Sequence, residues 1–571
     1  MAMTGADIVI EAFRRHDVEY VFGLPGGAVM PIFDSILDAK MKLILTRHEQ
    51  GATHMADGFA RATHRPGVVM VTSGPGATNT VTGLLTAHMD SAPMVVVSGQ
   101  QITPMLGKDA FQEADIFGIT IPVVKHSYLV KDPNDLPRVM NEAFHICNTG
   151  RPGPVLVDVP KDVASAECTA SFPEKIEECL PGYRFPGLCD MEDIYKTVEL
   201  LHSAKRPLLY VGHGALISRA SDVVFELAEK LNAPVTTTLL GKGAFPENHD
   251  LSVGMLGMHG TAYANKSVVD CDLIFCIGAR WDDRITGKVS EFCPTAKKIH
   301  LDIDPAEQGK VIVPDVSLVG DARIVLKELV KHVHKLETGD WLSRISGWKK
   351  KYPLKCPRKG GGLKAQYVLG LLNELTGGKA IVTTDVGQHQ MWCAQFYKTS
   401  LDHQWISSGG AGSMGFGFPA AIGAQFGCPD EQVWAVVGDG GFQMTLCELS
   451  TAVLHKLPVK VLIINNAYLG MVRQWQELFF DNRYSGVDLE GNPDFVKLAE
   501  SYGARGFRIR RAGDARRILK QAMEYNDGPC VIDACVEKEG NVFPMIPAGA
   551  AVKDMIVEKP KVKLAKPVGS T

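Results

Sequence analysis

Short apolar runs rich in Val, Ile and Leu, each closed by a glycine and followed by a stretch with helical periodicity, recur along most of the chain. That rhythm predicts buried parallel β-strands joined by amphipathic helices. Three stretches carry it. In residues 1–165, KLILTR, VVMVTSG and PMVVVSG read as strands, with GATHMADGFARAT as an intervening helix. In residues 191–345, PLLYVGHG, PVTTT, DLIFCIGAR and KKIHLDID read as fully buried strands. In residues 363–540, the strands are VWAVVGDGG, VKVLIINN and PCVIDACV. The fold class expected is α/β, with three doubly wound parallel-sheet domains.

Breaks in the pattern separate the units. Residues 166–190 contain Pro173, Pro181 and Pro186 and read as a linker. The basic, glycine-rich KKYPLKCPRKGGG, Lys350 to Gly362, reads as a second one. Residues 541–571 form a C-terminal tail whose end, KPKVKLAKPVGST, is expected to fray. The first and third units also share a layout, since VVMVTSGPGATN and VWAVVGDGGFQM both place a glycine turn between strand and helix.

Composition narrows the function classes. The 571 residues are 45% hydrophobic and 22% charged, which excludes collagen-like and disulfide-scaffold architectures. Sixty Lys and Arg nearly balance 64 Asp and Glu, so a net charge of −4 provides no field to attract nucleic acid or anionic lipid. Thirteen scattered cysteines without a CxxC pair fit a reducing compartment. The apolar runs are too short to cross a bilayer. Asp7 and Glu11 interrupt any signal-peptide pattern, so the expected location is the cytoplasm, with a processed organelle protein compatible with the same features.

The most specific chemical signal is Gly438-Asp439-Gly440, followed after 24 residues by Asn465-Asn466. A strand ending in Gly-Asp-Gly offers backbone N–H groups and a helix start to an anion, and Asp439 suits a hard divalent cation. Asn466, ending the next strand, supplies a second oxygen. Two adjacent strand ends can thus clamp Mg²⁺ against a diphosphate.

This spacing resembles the motif of the thiamine diphosphate-dependent enzymes, which implies Tyr468 as a further metal ligand and Gly440, Gly441 and Met444 at the cofactor. Asp385-Val386-Gly387-Gln388-His389 resembles the segment that meets the diphosphate, through Gly387, Gln388 and His389. Gly409 to Gly415 carries Met414, which by resemblance props the cofactor in a bent form. In Arg47-His48-Glu49, after the KLILT strand, the resemblance makes Glu49 the carboxylate that meets the aminopyrimidine and promotes its proton transfer. Glu49 and Asp439 lie nearly 400 residues apart. In the family such groups meet across a dimer interface, which implies a homodimer or homotetramer.

The resemblance extends over almost the whole chain to the acetohydroxyacid synthase (acetolactate synthase) family, biosynthetic catalytic subunits. It is carried by PGGAVMPIFD, RHEQGATHMADGFARA, DAFQEADI, RPGPVLVDVPKDV, MLGMHGT, GARWDDRITG, GMVRQWQELFF and NVFPMIPAGA. Leu24 and Lys108 depart from its pattern. The implied reaction decarboxylates pyruvate and transfers the two-carbon unit to pyruvate or 2-ketobutyrate, in branched-chain amino acid biosynthesis. Catalytic positions implied are Glu49, Gly26, Gln112 and Lys161. Phe111, Met258, Arg284 and Trp475 would bind substrate, Arg284 holding the acceptor carboxylate and Trp475 its alkyl group.

The middle unit resembles the family's FAD domain, with Arg151, His259, Gly260, Gly278, Arg280, Asp302 and Asp321 as the implied contacts. The flavin would be structural, because decarboxylation plus carboligation involves no net redox change. A flavin-dependent pyruvate oxidase shares three domains and both cofactors and is the nearest rival. Glyoxylate carboligases lack the activating glutamate that Glu49 supplies. A separate small regulatory subunit is also implied.

Overall fold

The computed structural model describes residues 3–176, 179–185, 187–356, 362–399 and 403–560. Pro186, residues 357–361 of the basic passage and the tail from 561 lie outside them. Three six-stranded sheets, each wholly parallel, carry the architecture.

The first sheet places side by side Lys42–Leu45, Tyr20–Leu24, Gly67–Val71, Met94–Gln100, Pro154–Pro160 and His126–Leu129. Counted in chain order, this is 2-1-3-4-6-5. The third sheet repeats that order with Trp405–Ser407, Ile381–Thr384, Val433–Gly438, Lys460–Asn465, Cys530–Cys535 and Arg505–Ile509. The similarity of layout between the first and third units is therefore a shared topology. The middle sheet runs Ser252–Met255, Val235–Thr237, Pro207–Val211, Leu273–Ile277, Lys297–Asp302 and Val316–Val319, order 3-2-1-4-5-6. That is the order of dinucleotide-binding sheets.

Burial on both faces explains the unbroken apolar strands. Every residue of Gly67–Val71, Pro207–Val211 and Leu273–Ile277 is buried. A short antiparallel pair, Met3–Thr4 with Glu167–Cys168, closes the first unit, and a reciprocal Thr4–Asp7 cap starts its first helix. The helix Gly339–Lys351 extends into the basic passage, its last turn carrying Lys349, Lys350 and Lys351, where cations complement the helix dipole. From 541 the chain does not fray at once. Val542 and Met545 are fully buried, and Met545 bridges to Ile556.

The first and third units meet through the helices Glu49–Thr63 and Gly417–Gly427, which follow the second strand of each sheet. Glycines allow the approach. A Cβ at Gly58 would lie 2.0 Å from the Ala420 carbonyl oxygen, and one at Gly423 would lie 1.8 Å from that of Met55. Beside the crossing, Arg61 pairs with Asp57 of its own helix at 2.7 Å and with Asp90 at 3.0 Å, and it reaches the third unit by donating to the Ser407 carbonyl at 2.8 Å. The middle unit is tied to the third by fully buried Lys242. Its ammonium meets Glu247 at 2.6 Å and the carbonyls of Ala394 and Tyr397.

Thermal unfolding of single variants checks the helix crossing. Gly423→Ala should destabilise the protein by about 1–3 kcal/mol, because the backbone opposite must move. Gly347→Ala, in an exposed helix interior with nothing within 4 Å, should instead stabilise by about 0.5–1 kcal/mol. Equal shifts of the same sign would refute the packing argument.

Candidate active site

In a parallel sheet, loops from neighbouring strands diverge where the strand order reverses, and the crevice between them is where ligands bind. Each sheet has one such point. In the first it lies between Tyr20–Leu24 and Gly67–Val71, in the middle one between Pro207–Val211 and Leu273–Ile277, and in the third between Ile381–Thr384 and Val433–Gly438.

At the first point, Gly26 follows its strand, and a Cβ there would overlap Thr72 at 2.5 Å. Glu49 opens the helix Glu49–Thr63 next door and is only 8% exposed. Its Oε2 accepts a 3.0 Å hydrogen bond from the Asn79 amide. A Cβ at Gly76 would stand 3.4 Å from its Oε1, so the glycine keeps that side narrow without blocking it. Gln112 adopts φ +58° against Gly74, whose own φ is also +58°. Phe111 beside it is 84% exposed. Lys161 starts the helix Lys161–Ser165 and is exposed at the end of strand Pro154–Pro160.

At the third point, Asp439 is the first residue of the helix Asp439–Thr445 and is 1% exposed. Burial pushes its carboxyl up to about 6, against the lowering effect of Asn492, which donates to Oδ2 at 2.7 Å. A cation would reverse that desolvation cost. Asn466 stands just past the neighbouring strand. Its amide donates to Gln388 Oε1 at 3.1 Å, and its oxygen accepts from the Tyr468 N–H at 3.1 Å. The Asp439 carboxylate, the Asn466 amide oxygen and the Tyr468 carbonyl would make an all-oxygen donor set, a chemistry that fits Mg²⁺.

The surrounding backbone is closely held. Gly387 has φ +146°. His389 Nε2 lies 2.6 Å from Asp385 Oδ1, and Asp385 Oδ2 accepts from the Gly415 N–H at 3.1 Å. A Cβ at Gly441 would overlap that carboxylate at 1.7 Å. Met414 lies over this floor, its Cε 3.6 Å from where a Gly440 Cβ would be. Met444, one helical turn on, is 57% exposed.

The middle crevice opens into a cavity of about 1620 Å³, larger than the ~300–1,000 Å³ of ordinary small-molecule sites. Arg151, His259, Gly278, Arg280, Asp302 and Asp321 all line it. A Cβ at Gly214 would lie 2.8 Å from Gly278 Cα, and Gly278 has φ +59°, so these strand ends need glycine. His259 is 6% exposed and its Nδ1 has no protein partner, while burial drives its pKa down to about 4. Such an orphaned polar atom on a cavity wall fits a ligand that supplies hydrogen bonds, and FAD suits the volume and the strand order. Burial raises Asp302 to about 6. Arg151 meets Glu307 at 2.9 Å and Asp304 at 3.3 Å, and Asp321 caps the helix Ala322–His332. Gly260 does not line the cavity. It is buried, and a Cβ there would lie 2.4 Å from the Leu256 backbone.

Gly387, Met258, Arg284 and Trp475 line the same cavity. The Met258 N–H donates to the Arg284 carbonyl, and the Met258 carbonyl accepts from Ile546 N–H, both at 2.8 Å. Trp475 packs on Phe479 with ring centroids 5.6 Å apart, beside Phe543 and Met545. Arg284 meets Asp283 only loosely, at 3.7 Å. The substrate positions named from the middle and third units thus share one cavity. Phe111, Gln112 and Lys161 stand on the first domain, outside this cavity.

Several contributors escaped the sequence reading. Asn79 lies within the glycine-rich TSGPGATN, which could have suggested it, and Asn492 follows no recognisable signal. Asp90 accepts from the N–H groups of Gly409 at 3.1 Å and Gly410 at 2.6 Å, anchoring the loop that leads to Met414.

Family models match in chain order. Residues 3–119 match "Thiamine pyrophosphate enzyme, N-terminal TPP binding domain", 194–329 the central domain of the same enzymes, and 385–534 their C-terminal TPP binding domain. Among curated relatives, "Acetolactate synthase" of Mycobacterium bovis is 48% identical over 96% of this chain and 90% of its own length. "Acetolactate synthase large subunit" of Porphyra purpurea is 47% identical over 98% and 96%. That of Parasynechococcus marenigrum is 49% identical over 97% and 91%. With this identity spread over nearly all of both partners, the chain belongs to the thiamine pyrophosphate enzymes and, within them, to the acetolactate synthase large-subunit family.

Proposed function

We propose that this chain is the catalytic subunit of an acetolactate synthase whose two cofactor-facing sheets work in pairs across a homodimer. The reaction decarboxylates pyruvate and joins the remaining two-carbon unit to pyruvate or 2-ketobutyrate. The products are 2-acetolactate and 2-aceto-2-hydroxybutyrate, precursors of branched-chain amino acids. The observation that carries this reading is the placement of Asp439 at, and of Glu49 one strand beside, the strand-order reversals of two sheets with the same topology.

Bound thiamine diphosphate supplies the nucleophilic carbon and electron sink that decarboxylation of a 2-ketoacid needs. Asp439, Asn466 and the Tyr468 carbonyl would hold its Mg²⁺. Glu49 holds a proton at Oε1, because Oε2 is engaged by Asn79. Arg284 presents a planar fork to the acceptor carboxylate, and Trp475 packs on its alkyl group. Lys161, Gln112 and Phe111, on the first domain of a second copy, would close the pocket. The helix Gly470–Phe479 and the packed segment around Met545 exclude water. Arg151, His259 and Arg280 would hold FAD in the central cavity, where it would have no electron to carry in this balance.

The way the halves are furnished supports the homodimer. The side chain of Glu49 is held within the first domain, whereas Asp439 is held by Asn492 within the third. Phe111 and Met444 are largely exposed in the single chain, and a second copy would cover them. The relatives' designation as large subunits supports a small regulatory partner.

The direct test supplies thiamine diphosphate, Mg²⁺, FAD, pyruvate and 2-ketobutyrate, and identifies the products. Both acetohydroxyacids should form while the flavin stays oxidised. Acetate with flavin reduction would overturn the reading in favour of an oxidase. Glu49→Gln should lower kcat by about 10²- to 10⁴-fold, the usual worth of a proton-transferring group, while the variant stays folded. Unchanged turnover would remove Glu49 from the mechanism. Trp475→Leu should reduce the preference for 2-ketobutyrate about 10-fold, within the range that one methylene allows. An unaltered product ratio in a competition assay would refute that role.

A further inference from the structure

Glu448 is a carboxylate with no part in the chemistry above, yet it is completely buried at the junction of the first and third domains. Its Oε1 accepts from the backbone N–H groups of Arg47 and His48, both at 3.0 Å. Its Oε2 accepts from the Thr451 hydroxyl at 2.8 Å and from the Arg47 N–H at 3.2 Å. Arg47 and His48 are the two residues immediately before Glu49. A third-domain side chain therefore grips the peptide from which the proposed acid projects.

Two further observations make the grip specific. A Cβ at Gly51 would sit 2.2 Å from Glu448 Oε1, so the first helical turn after Glu49 is shaped around this carboxylate. On its other side, Glu448 ends the short turn Leu446–Glu448, which directly continues the helix Asp439–Thr445. The element that begins with the proposed metal acid thus ends on the anchor of the proposed proton-holding acid. Burial raises the Glu448 pKa, and the hydrogen bonds from Thr451, Arg47 and His48 oppose that shift.

We propose that Glu448 is a positioning residue for Glu49, fixing the Arg47–His48 peptide so that Glu49 meets Asn79 on one oxygen and presents the other to the cofactor. This rests on the reading of Glu49 as the proton-holding acid. The function of Glu448 is geometric. A glutamine in its place can direct its one carbonyl oxygen at both N–H groups and its amide at the Thr451 hydroxyl, which can accept as well as donate.

The test compares Glu448→Gln, Glu448→Ala and Gly51→Ala as full-length holoenzymes, with Glu49→Gln alongside. The readouts are kcat, KM for pyruvate, thiamine diphosphate affinity by fluorescence titration, and hydrogen exchange at the amides of Arg47 and His48. Glu448→Ala should lose about 10- to 100-fold in kcat, the scale of a misplaced catalytic group, with KM for pyruvate within about 2-fold. Its two amides should exchange faster. Gly51→Ala, which pushes the carboxylate away without removing it, should give the same pattern and stands in if Glu448→Ala does not fold. Glu448→Gln should keep kcat within about 3-fold of the parent and retain slow exchange. Normal kcat in Glu448→Ala or Gly51→Ala despite faster exchange would overturn the proposal. Equal losses in Glu448→Gln and Glu448→Ala would overturn it in favour of a charge effect. If Glu49→Gln itself remains fully active, the reading of Glu49 fails first, whatever the Glu448 variants do.

Discussion

The structure depends on a geometric constraint of parallel sheets. Their strands all end on one edge, and only at a reversal of strand order do two neighbouring loops turn to opposite faces and leave a crevice. Most groups assigned to the chemistry stand at, or one strand away from, such a reversal, with Lys161 and Met258 two strands away. Glycines recur there because the backbone is approached closely, by the side chains of Thr72 at Gly26 and of Asp385 at Gly441, and by the Gly278 backbone at Gly214. In the proposed reaction the two thiamine-facing domains would use the same strand order for opposite tasks, one presenting a carboxylate to a base, the other collecting oxygen ligands for a cation.

The electrostatics follow from burial at these edges. A net charge of −4 conveys nothing about a site that must receive anionic ketoacids and a diphosphate. What matters is local. Asp439 is costly to ionise until a cation arrives, and Arg284 keeps its guanidinium at the cavity wall with only a loose partner. The buried Arg61, Asp57 and Asp90 cluster satisfies its own charges while fixing the loop that carries Met414.

Much of this was legible in the sequence, and the limits are physical. Gly438-Asp439-Gly440 and Asn465-Asn466 could be read because each is a local strand-end motif. The apolar runs identified the strands because both faces of a parallel sheet are buried. The strand orders could not be read, since pairing is a nonlocal choice among segments of similar composition. Asn492, Asp90 and Glu448 were invisible for a related reason. Each acts through a hydrogen bond to a residue 53, about 320 or about 400 positions away. Gly260 shows the converse, a residue inside a recognisable motif whose tight packing on Leu256 gives it a structural use.

The glycine-lined crossing of Glu49–Thr63 and Gly417–Gly427 has a consequence for how tolerant the enzyme is of change. The first helix begins at Glu49, and the second begins three residues after Met414. Because no side chain separates their backbones at Gly58 or Gly423, there is no compressible layer to absorb a displacement. Drift in the spacing of these helices reaches both ends of the catalytic apparatus at once, so the two domains cannot be optimised independently.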